Sequence, residues 1–473
     1  MLRPEPKGYS FSPSPKALPF PTLPGMRASF CDRVTSGLSL ILCLFCGRLA
    51  ADDWPQWLGP QRDGVWRETG IVERFPPGGP PVRWRVSIGG GFAGPAVANG
   101  RVFVTDRQVA KAGSGLNNPS ARGSLPGTER VLCLNDADGK LLWQHEYQAD
   151  YTMSYPAGPR TTPVVQGGKV WTLGAEGHLV CLNEQTGAVT WTRDFRKDFG
   201  ARTPVWGFAA HPLIDGQKLI CLVGGEGSVA VAFDKETGKE LWRGLTAKEP
   251  GYCPPMIYEF GGKRQLIIWH PEAVNALDPE TGKVYWSQPF ESRTGLAIST
   301  PRQAGDLLFL TTFYNGSLML RVGSGQPEVM WQSRKASERD TDALHAIICT
   351  PFIQDRYIYG VCSYGQLRCL QADSGERRWE TLEATTADGK ETRWANAFII
   401  KNGNRFFLPN EKGDLIIARL TPKGYEEISR AHLLEPTNRD PGRAVVWSHP
   451  AFANRCVYAR NDKEIVSASL AEP

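Results

Sequence analysis

The chain has 473 residues, of which 22% are charged, with 15 tryptophans, 50 glycines and 36 prolines; this mixture suits many short strands and tight turns and argues against a helix bundle. The formal charge of +5 is concentrated in residues 1–51, where six basic side chains outnumber two acidic ones and leave the rest of the chain at +1. A body so nearly neutral lacks the basic stripe that nucleic-acid binding needs.

In chain order, the first feature is a leader. Arg27 and Arg33 precede an apolar run over 38–45, and Ala50-Ala51 follow just before Asp52-Asp53. A basic end, an apolar centre and a small-residue exit describe a secretory signal peptide, with Met26 the expected start and cleavage expected after Ala51. The run is too short to span a bilayer, and no later segment approaches that length. Cys46 follows Leu44-Phe45 rather than a small residue, a poor pattern for lipid attachment. The mature chain is therefore expected in the periplasm, the cell envelope or the medium, as a monomer. Residues 52–79 form an N-terminal extension, and 80–473 are expected to form one domain.

Five segments then share one pattern: VLCLNDADGKLLW, LVCLNEQTGAVTW, VAVAFDKETGKELW, AVNALDPETGKVYW and LRCLQADSGERRW. Each holds an apolar strand, a polar turn, a glycine, and a tryptophan four residues later: Gly139/Trp143, Gly187/Trp191, Gly238/Trp242, Gly282/Trp286 and Gly375/Trp379. Two degenerate copies end at Trp331 and at Ile428. An eighth is split, its final strand lying at the chain's start as PVRWRVSI, with Trp84, and its remainder at the end as EIVSASL. From Trp84 the steps are 59, 48, 51, 44, 45, 48 and 49 residues. Asp or Asn bonds nearby backbone and glycine takes the positive-φ turn position, while tryptophan on an outer strand packs on the next unit and uses its indole N–H. A small-residue segment, usually reaching proline, opens each unit: FAGPAV, RTTPVV, AAHPLI, CPPMIY, ISTPRQ, ICTPFI, WANAFI and SHPAF. Proline is tolerated at a strand start. The fold class is therefore all-β: an eight-bladed β-propeller of four-stranded antiparallel blades, closed by pairing of the N-terminal strand with the C-terminal strands.

Of eleven cysteines, eight lie beyond the leader, none adjacent and none spaced C-x-x-C. Cys133, Cys181 and Cys369 share a repeat position with Ala232 and Ala276, which reads as small and buried rather than as a metal or redox site. Gly89-Gly90-Gly91 precede an inner strand rather than a helix, which argues against a phosphate cradle. Long irregular connections are expected over 106–129, 145–159, 195–207, 334–344, 384–394 and 434–446, the first a solvated insertion or a lid. Starts of inner strands should ring the axial mouth with Arg160, Trp206, His211, Tyr252, His345, Trp394, Asn396, Arg443, Trp447 and His449. Aromatic rings with arginine and histidine suit an anionic, planar or peptide-like ligand. The same residues suit a wide ring filled by tryptophan around a solvated channel, and both readings stay open.

The turn-and-tryptophan units resemble the repeats of pyrroloquinoline-quinone (PQQ) dependent alcohol dehydrogenases, and equally those of the outer-membrane assembly lipoprotein BamB, over residue 80 to the C-terminus. DWPQWLGPQRDG, residues 53–64, resembles the N-terminal tag of secreted PQQ-repeat proteins of planctomycete-type bacteria. The resemblance to the dehydrogenases implies a quinone beside Ca²⁺ held by Glu, Asn and Asp, an Asp base, and a disulfide of adjacent cysteines. This chain departs from that pattern: it has no adjacent cysteines and no C-x-x-C-H. Only Asn396 at the inferred mouth is of a matching ligand type, and Asp340, Asp342 and Asp440 fall in loops with no fixed metal spacing. The expectation is a non-catalytic binding or scaffold propeller with no cofactor, whose mouth takes a protein, glycan or cell-surface partner; the alternative is a quinone-dependent dehydrogenase using PQQ and Ca²⁺.

Overall fold

The computed structural model describes residues 52–109, 124–440 and 442–473. The leader, the proposed start at Met26 and most of the 106–129 insertion lie outside these residues. The described chain forms eight four-stranded antiparallel sheets, and each of the first seven is a run of consecutive strands. The first blade comprises Ala96–Ala98, Arg101–Val109, Gly127–Asn135 and Leu141–Gln148. Blades two to seven follow over 164–194, 213–244, 256–289, 302–332, 352–381 and 400–432. The eighth joins Ala451–Ala453, Cys456–Arg460 and Glu464–Ser469 to the N-terminal strand Val82–Ser87, with Arg85 opposite Val466 and Ser87 opposite Glu464. The ring thus closes by pairing the two ends of the domain, as the split repeat requires.

Inner strands are short, most of three residues, and seven begin immediately after the proline of the opening segment. The small residues before that proline lie in the connection, not in the strand. Two connections hold more structure than expected: 195–207 begins with the helix Phe195–Phe199, capped by Asp194, and 434–446 carries the hairpin Asn438–Asp440 with Arg443–Val445. At 106–109 and 127–129 the chain continues the second and third strands of blade one in register, up to Val109 opposite Gly127.

The core lies between blades. One apolar cluster joins Phe103 and Trp143 of blade one to Val170 and Val180 of blade two; another joins Trp171 and Trp191 to Leu219 and Phe233 of blade three. The repeat's tryptophan builds these layers. Trp143 donates its indole N–H to the Glu184 carbonyl at 2.9 Å, in the outer turn of the next blade. Trp84, Trp191, Trp242, Trp331 and Trp379 donate likewise to Asp136, Lys235, Pro279, Ala372 and Thr421. The turn glycine lies on the ring: a Cβ on Gly187 would stand 2.6 Å from Trp143. This glycine therefore meets two demands at once, a φ of +73° and room for the neighbour's indole. Trp286 breaks the pattern and donates within its own blade, to Gln265 Oε1, because it faces the degenerate turn with two extra residues.

Opposite the tryptophans of the five regular repeats stands a small side chain, whereas Trp331 of the degenerate copy faces Met319. Cys133, Cys181, Ala232, Ala276 and Cys369 pair with Trp143, Trp191, Trp242, Trp286 and Trp379, each beside a β-bulge. All eight described cysteines are buried free thiols, and burial pushes Cys133, Cys181 and Cys369 up to about 11.

Residues 52–79 are part of the ring's packing. Trp54, Trp66, Ile71 and Phe75 join the cluster of blades seven, eight and one. The segment runs outward: Val65 bridges to Lys401 of blade seven's inner strand, and Phe75 N–H donates to Ser429 Oγ of that blade's outer strand. It then enters Val82–Ser87. No helix among the described residues is long and apolar enough to cross a membrane.

Candidate functional site

Fifteen residues line a cavity of about 360 Å³, at the lower end of the range of roughly 300–1,000 Å³ typical of small-ligand sites. Every one of the eight connections from an outer strand to the next inner strand contributes. Phe92 precedes blade one, Tyr155 and Arg160 blade two, Trp206 and Ala209 blade three, and Tyr252 blade four. Thr294, Leu296 and Ile298 precede blade five, Ile347 and Ile348 blade six, Trp394 blade seven and Trp447 blade eight. Phe313 and Tyr314 come from the hairpin between the second and third strands of blade five. Only the axial mouth of the ring brings all eight connections together.

The lining is aromatic and aliphatic, and its single charged group, Arg160, is committed elsewhere. Arg160 donates to the carbonyls of Trp206 at 2.9 Å, Ser154 at 2.9 Å, Tyr155 at 2.6 Å and Gly158, and its guanidinium lies 5.2 Å from the Phe92 ring centroid. Burial lowers its pKa. It pins the connections of blades two and three rather than presenting free donors. Close backbone crossings complete this wall: a Cβ on Gly90 would lie 2.6 Å from the Ala157 carbonyl, which accounts for the glycine run at 89–91.

Charged side chains stand behind the rings. Arg443 Nε donates to Glu411 Oε1 at 2.9 Å and Arg443 also pairs with Asp440. Trp447 Nε1 donates to Glu411 Oε2 at 3.0 Å, and the Tyr155 hydroxyl donates to Asp440 Oδ1 at 3.1 Å. Burial raises the Glu411 carboxyl, opposed by Arg443, and does the same to Asp440. The two acids fix two rings of the cavity wall through hydrogen bonds to their polar tips. Tyr155, Thr294 and Trp394 all hold positive φ, at +53°, +59° and +65°; such backbone strain in non-glycine residues tends to gather at functional sites.

Of the ten residues expected at the mouth, Arg160, Trp206, Tyr252, Trp394 and Trp447 line the cavity. Arg443 stands behind it. Asn396 is buried, its carbonyl accepting from Glu411 N–H. His345 is fully buried in its own connection, with Nδ1 3.2 Å from the Phe313 carbonyl and Nε2 3.4 Å from Asp342. His211 and His449 lie one layer deeper, two residues beyond the lining residues Ala209 and Trp447. There they meet Trp57 of the N-terminal extension. Trp57 stacks on His211 with centroids 4.0 Å apart and planes 7° off parallel, lies 4.7 Å from His449, and donates to Thr300 Oγ1 at 3.1 Å. Arg62 anchors this segment through the Pro212 carbonyl at 2.9 Å. The channel is thus floored by Trp57 beneath the cavity. His211 Nδ1 accepts from Thr162 N–H at 2.9 Å, so the ring is neutral, and burial holds its pKa well below the usual value. Sequence reasoning missed this floor, although the tryptophan density of DWPQWLGPQRDG was its signal. It also missed Phe92, Tyr155, Phe313, Tyr314 and the isoleucine pair, which carry no repeat signature.

The residues present do not fit a calcium-bound quinone. Ca²⁺ takes six to eight oxygen ligands, and PQQ is a tricarboxylate. The lining has no carboxylate and no side-chain amide, and no group of three His, Cys, Asp or Glu side chains among the described residues is placed to hold a metal ion.

The family model described as outer membrane protein assembly factor BamB matches residues 127–381. No curated protein matches the sequence. Among solved structures, the quinohemoprotein alcohol dehydrogenase of Comamonas testosteroni superposes with a TM-score of 0.59 at 12% identity, covering 89% of this chain and 81% of that one. The quinohemoprotein alcohol dehydrogenase ADHIIG of Pseudomonas putida HK5 gives 0.56 at 14% identity, over 89% and 80%. BamB of Moraxella catarrhalis gives 0.49 at 17%, over 72% and 91%. At these identities the likeness to the dehydrogenases is one of fold.

Proposed function

Because the chain belongs to the family described as outer membrane protein assembly factor BamB, we propose that it is an exported, non-catalytic binding propeller that holds a segment of a protein partner at its axial mouth. One observation carries this reading: all eight blades converge on an apolar, aromatic cavity whose only charged group already gives its N–H groups to backbone carbonyls. Such a wall offers area burial and ring contacts to apolar side chains. It offers few of the hydrogen bonds that a glycan's hydroxyls require, and no base, nucleophile or metal ligand set for chemistry. The reading includes no bound quinone. The chain works as a monomer in the periplasm or cell envelope.

The test uses the full chain and two probes. Reduced, carboxymethylated α-lactalbumin, an unfolded polypeptide with exposed apolar side chains, is expected to bind saturably by fluorescence anisotropy, and Trp206→Ala and Trp447→Ala to weaken it while the melting transition persists. PQQ with Ca²⁺ is expected to give no stoichiometric spectral change and no dye-linked alcohol oxidation. Quinone turnover would overturn the non-catalytic reading; failure to bind the polypeptide would overturn the site.

A further inference from the structure

The cavity wall ends, on the side of blades five to seven, in two stacked guanidinium groups. Arg293 lies with its guanidinium carbon 5.0 Å from the Tyr314 ring centroid. Arg393 lies 4.3 Å from the Trp394 ring and reaches the Tyr314 hydroxyl at 3.4 Å. Tyr314 and Trp394 both line the cavity, so both cations sit directly on its edge. Arg393 is partly neutralised by Glu338 at 2.6 Å, which also accepts from the Tyr364 hydroxyl. Arg293 is exposed and has no ion-pair partner among the described residues. Glu249, from the connection before blade four, lies against Gly295, two residues from Arg293, and makes no ion pair with it among the described residues. The edge over Tyr314 therefore carries one cation without an ion-pair partner, Arg293, beside an apolar hole.

Stacking also fixes these arginines. A guanidinium lying on an aromatic face keeps its in-plane donors free for a carboxylate, and the planar fork binds one in two-point fashion. An apolar pocket bordered by such forks selects a particular occupant. A neutral apolar segment would fill the hole and leave Arg293 unpaired. A basic segment would be repelled at the edge. A segment with one large apolar side chain flanked by carboxylates satisfies both features.

Resting on the reading of the mouth as a protein-binding site, we infer that its occupant is an acidic peptide segment that inserts one aromatic or branched aliphatic side chain into the cavity and places a neighbouring carboxylate on Arg293 and Arg393. The apolar residue supplies the burial; the carboxylate sets the direction in which the segment lies, toward blades five to seven.

Four fluorescein-labelled peptides test this on the full chain: a central phenylalanine flanked by two aspartates on each side, the same peptide with lysines or with serines as flanks, and the aspartate peptide with a central serine. At low salt, the aspartate–phenylalanine peptide is expected to bind about tenfold more tightly than the lysine-flanked and the central-serine peptides. Its advantage over the serine-flanked peptide should shrink as salt rises toward the ionic strength where the screening length is about 10 Å. Arg293→Ala combined with Arg393→Ala should bring the acidic and serine-flanked peptides to within about twofold of each other. Arg293→Glu, at an exposed side chain with no ion-pair partner to lose, should invert the preference without lowering the melting temperature. Equal binding of acidic and basic flanks, or a preference untouched by Arg293→Glu, would overturn the inference while the mouth remained a polypeptide site if the phenylalanine peptides still competed with carboxymethylated α-lactalbumin. Binding of maltooligosaccharides with no binding of any peptide would overturn the reading beneath it as well.

Discussion

Gly187→Ala tests the contact that builds the ring. Gly187 holds φ +73° in the outer turn of blade two, and a Cβ there would lie 2.6 Å from Trp143 Cε3 and 2.7 Å from Cδ2. Two costs follow. The left-handed backbone disfavours alanine by about 1–2 kcal/mol, and forcing a methyl into a packed contact adds about 1–3 kcal/mol. Gly167, in the hairpin between the first two strands of the same blade, separates them: its φ is +58° and a Cβ would meet nothing within 4 Å. Gly167→Ala should therefore lose only the backbone part, about 1–2 kcal/mol, and Gly187→Ala about 2–5 kcal/mol. Urea unfolding followed by circular dichroism reads both, as a shift in midpoint at constant slope. A double-mutant cycle isolates the contact. In a Trp143→Ala background the alanine methyl no longer strikes an indole, so Gly187→Ala should cost no more than Gly167→Ala, a coupling of about 1–3 kcal/mol. Equal losses at the two glycines in the parent chain, or absence of coupling to Trp143, would refute the claim that these glycines are required by the neighbouring blade's tryptophan.

Other outcomes follow from the same geometry. Trp57→Ala removes a buried ring stacked on His211 and should destabilise by about 3–5 kcal/mol, read as a lower urea midpoint; an unchanged midpoint would mean the channel has no such floor. Burial lowers His449 to about 4, so the unfolded chain binds its proton first, and stability is held above pH 6.5 and lost as pH falls toward 4. The loss from this group is about 3 kcal/mol, and His449→Phe should flatten urea midpoints measured across that window. The eight described cysteines should not react with a thiol reagent at pH 8 in the native protein, and should react under denaturant; rapid native labelling would contradict their burial.

The sequence showed the ring because each repeat is a local statement of a non-local contact. Gly187 and Trp143 lie 44 residues apart, yet each appears within a short segment whose other residues, a polar turn and an apolar strand, have recognisable spacing. The cysteines were legible for the same reason: Cys133 and Ala232 share a register opposite a tryptophan, where the regular repeats carry a small side chain. Proline marked the inner strands but hid their exact start, since the small residues before it, such as Thr161 and Thr162, run in the connection. The mouth lacked any such grammar. Its residues stand one or two per connection, in segments of unequal length with no common motif. Trp206 and Trp447 could be found by eye as aromatics before a proline; Tyr155, Phe313 and Ile347 could not. His211 and His449 satisfied the same rule and nevertheless lie beneath the cavity, because alternate residues descend along the axis and two positions separate wall from floor.

That descent also explains why the floor comes from the extension. The ring closes by using an N-terminal strand as the outer strand of blade eight, so the chain before it must reach the rim from somewhere. It starts at the axis, where Trp57 meets His211 and His449, passes Val65 beside Lys401, and gains the rim at Phe75 beside Ser429. Closure of the circle and closure of the channel are therefore two ends of one radial segment, tied to blades three, four and five by Arg62 and Arg302 at its inner end and to blade eight by the Val82–Ser87 pairing at its outer end. The cavity above Trp57 is a blind cup rather than a pore. The cup's lining comes from the connections of all eight blades, whereas the packing that closes the ring lies in the strands and outer turns between neighbouring blades.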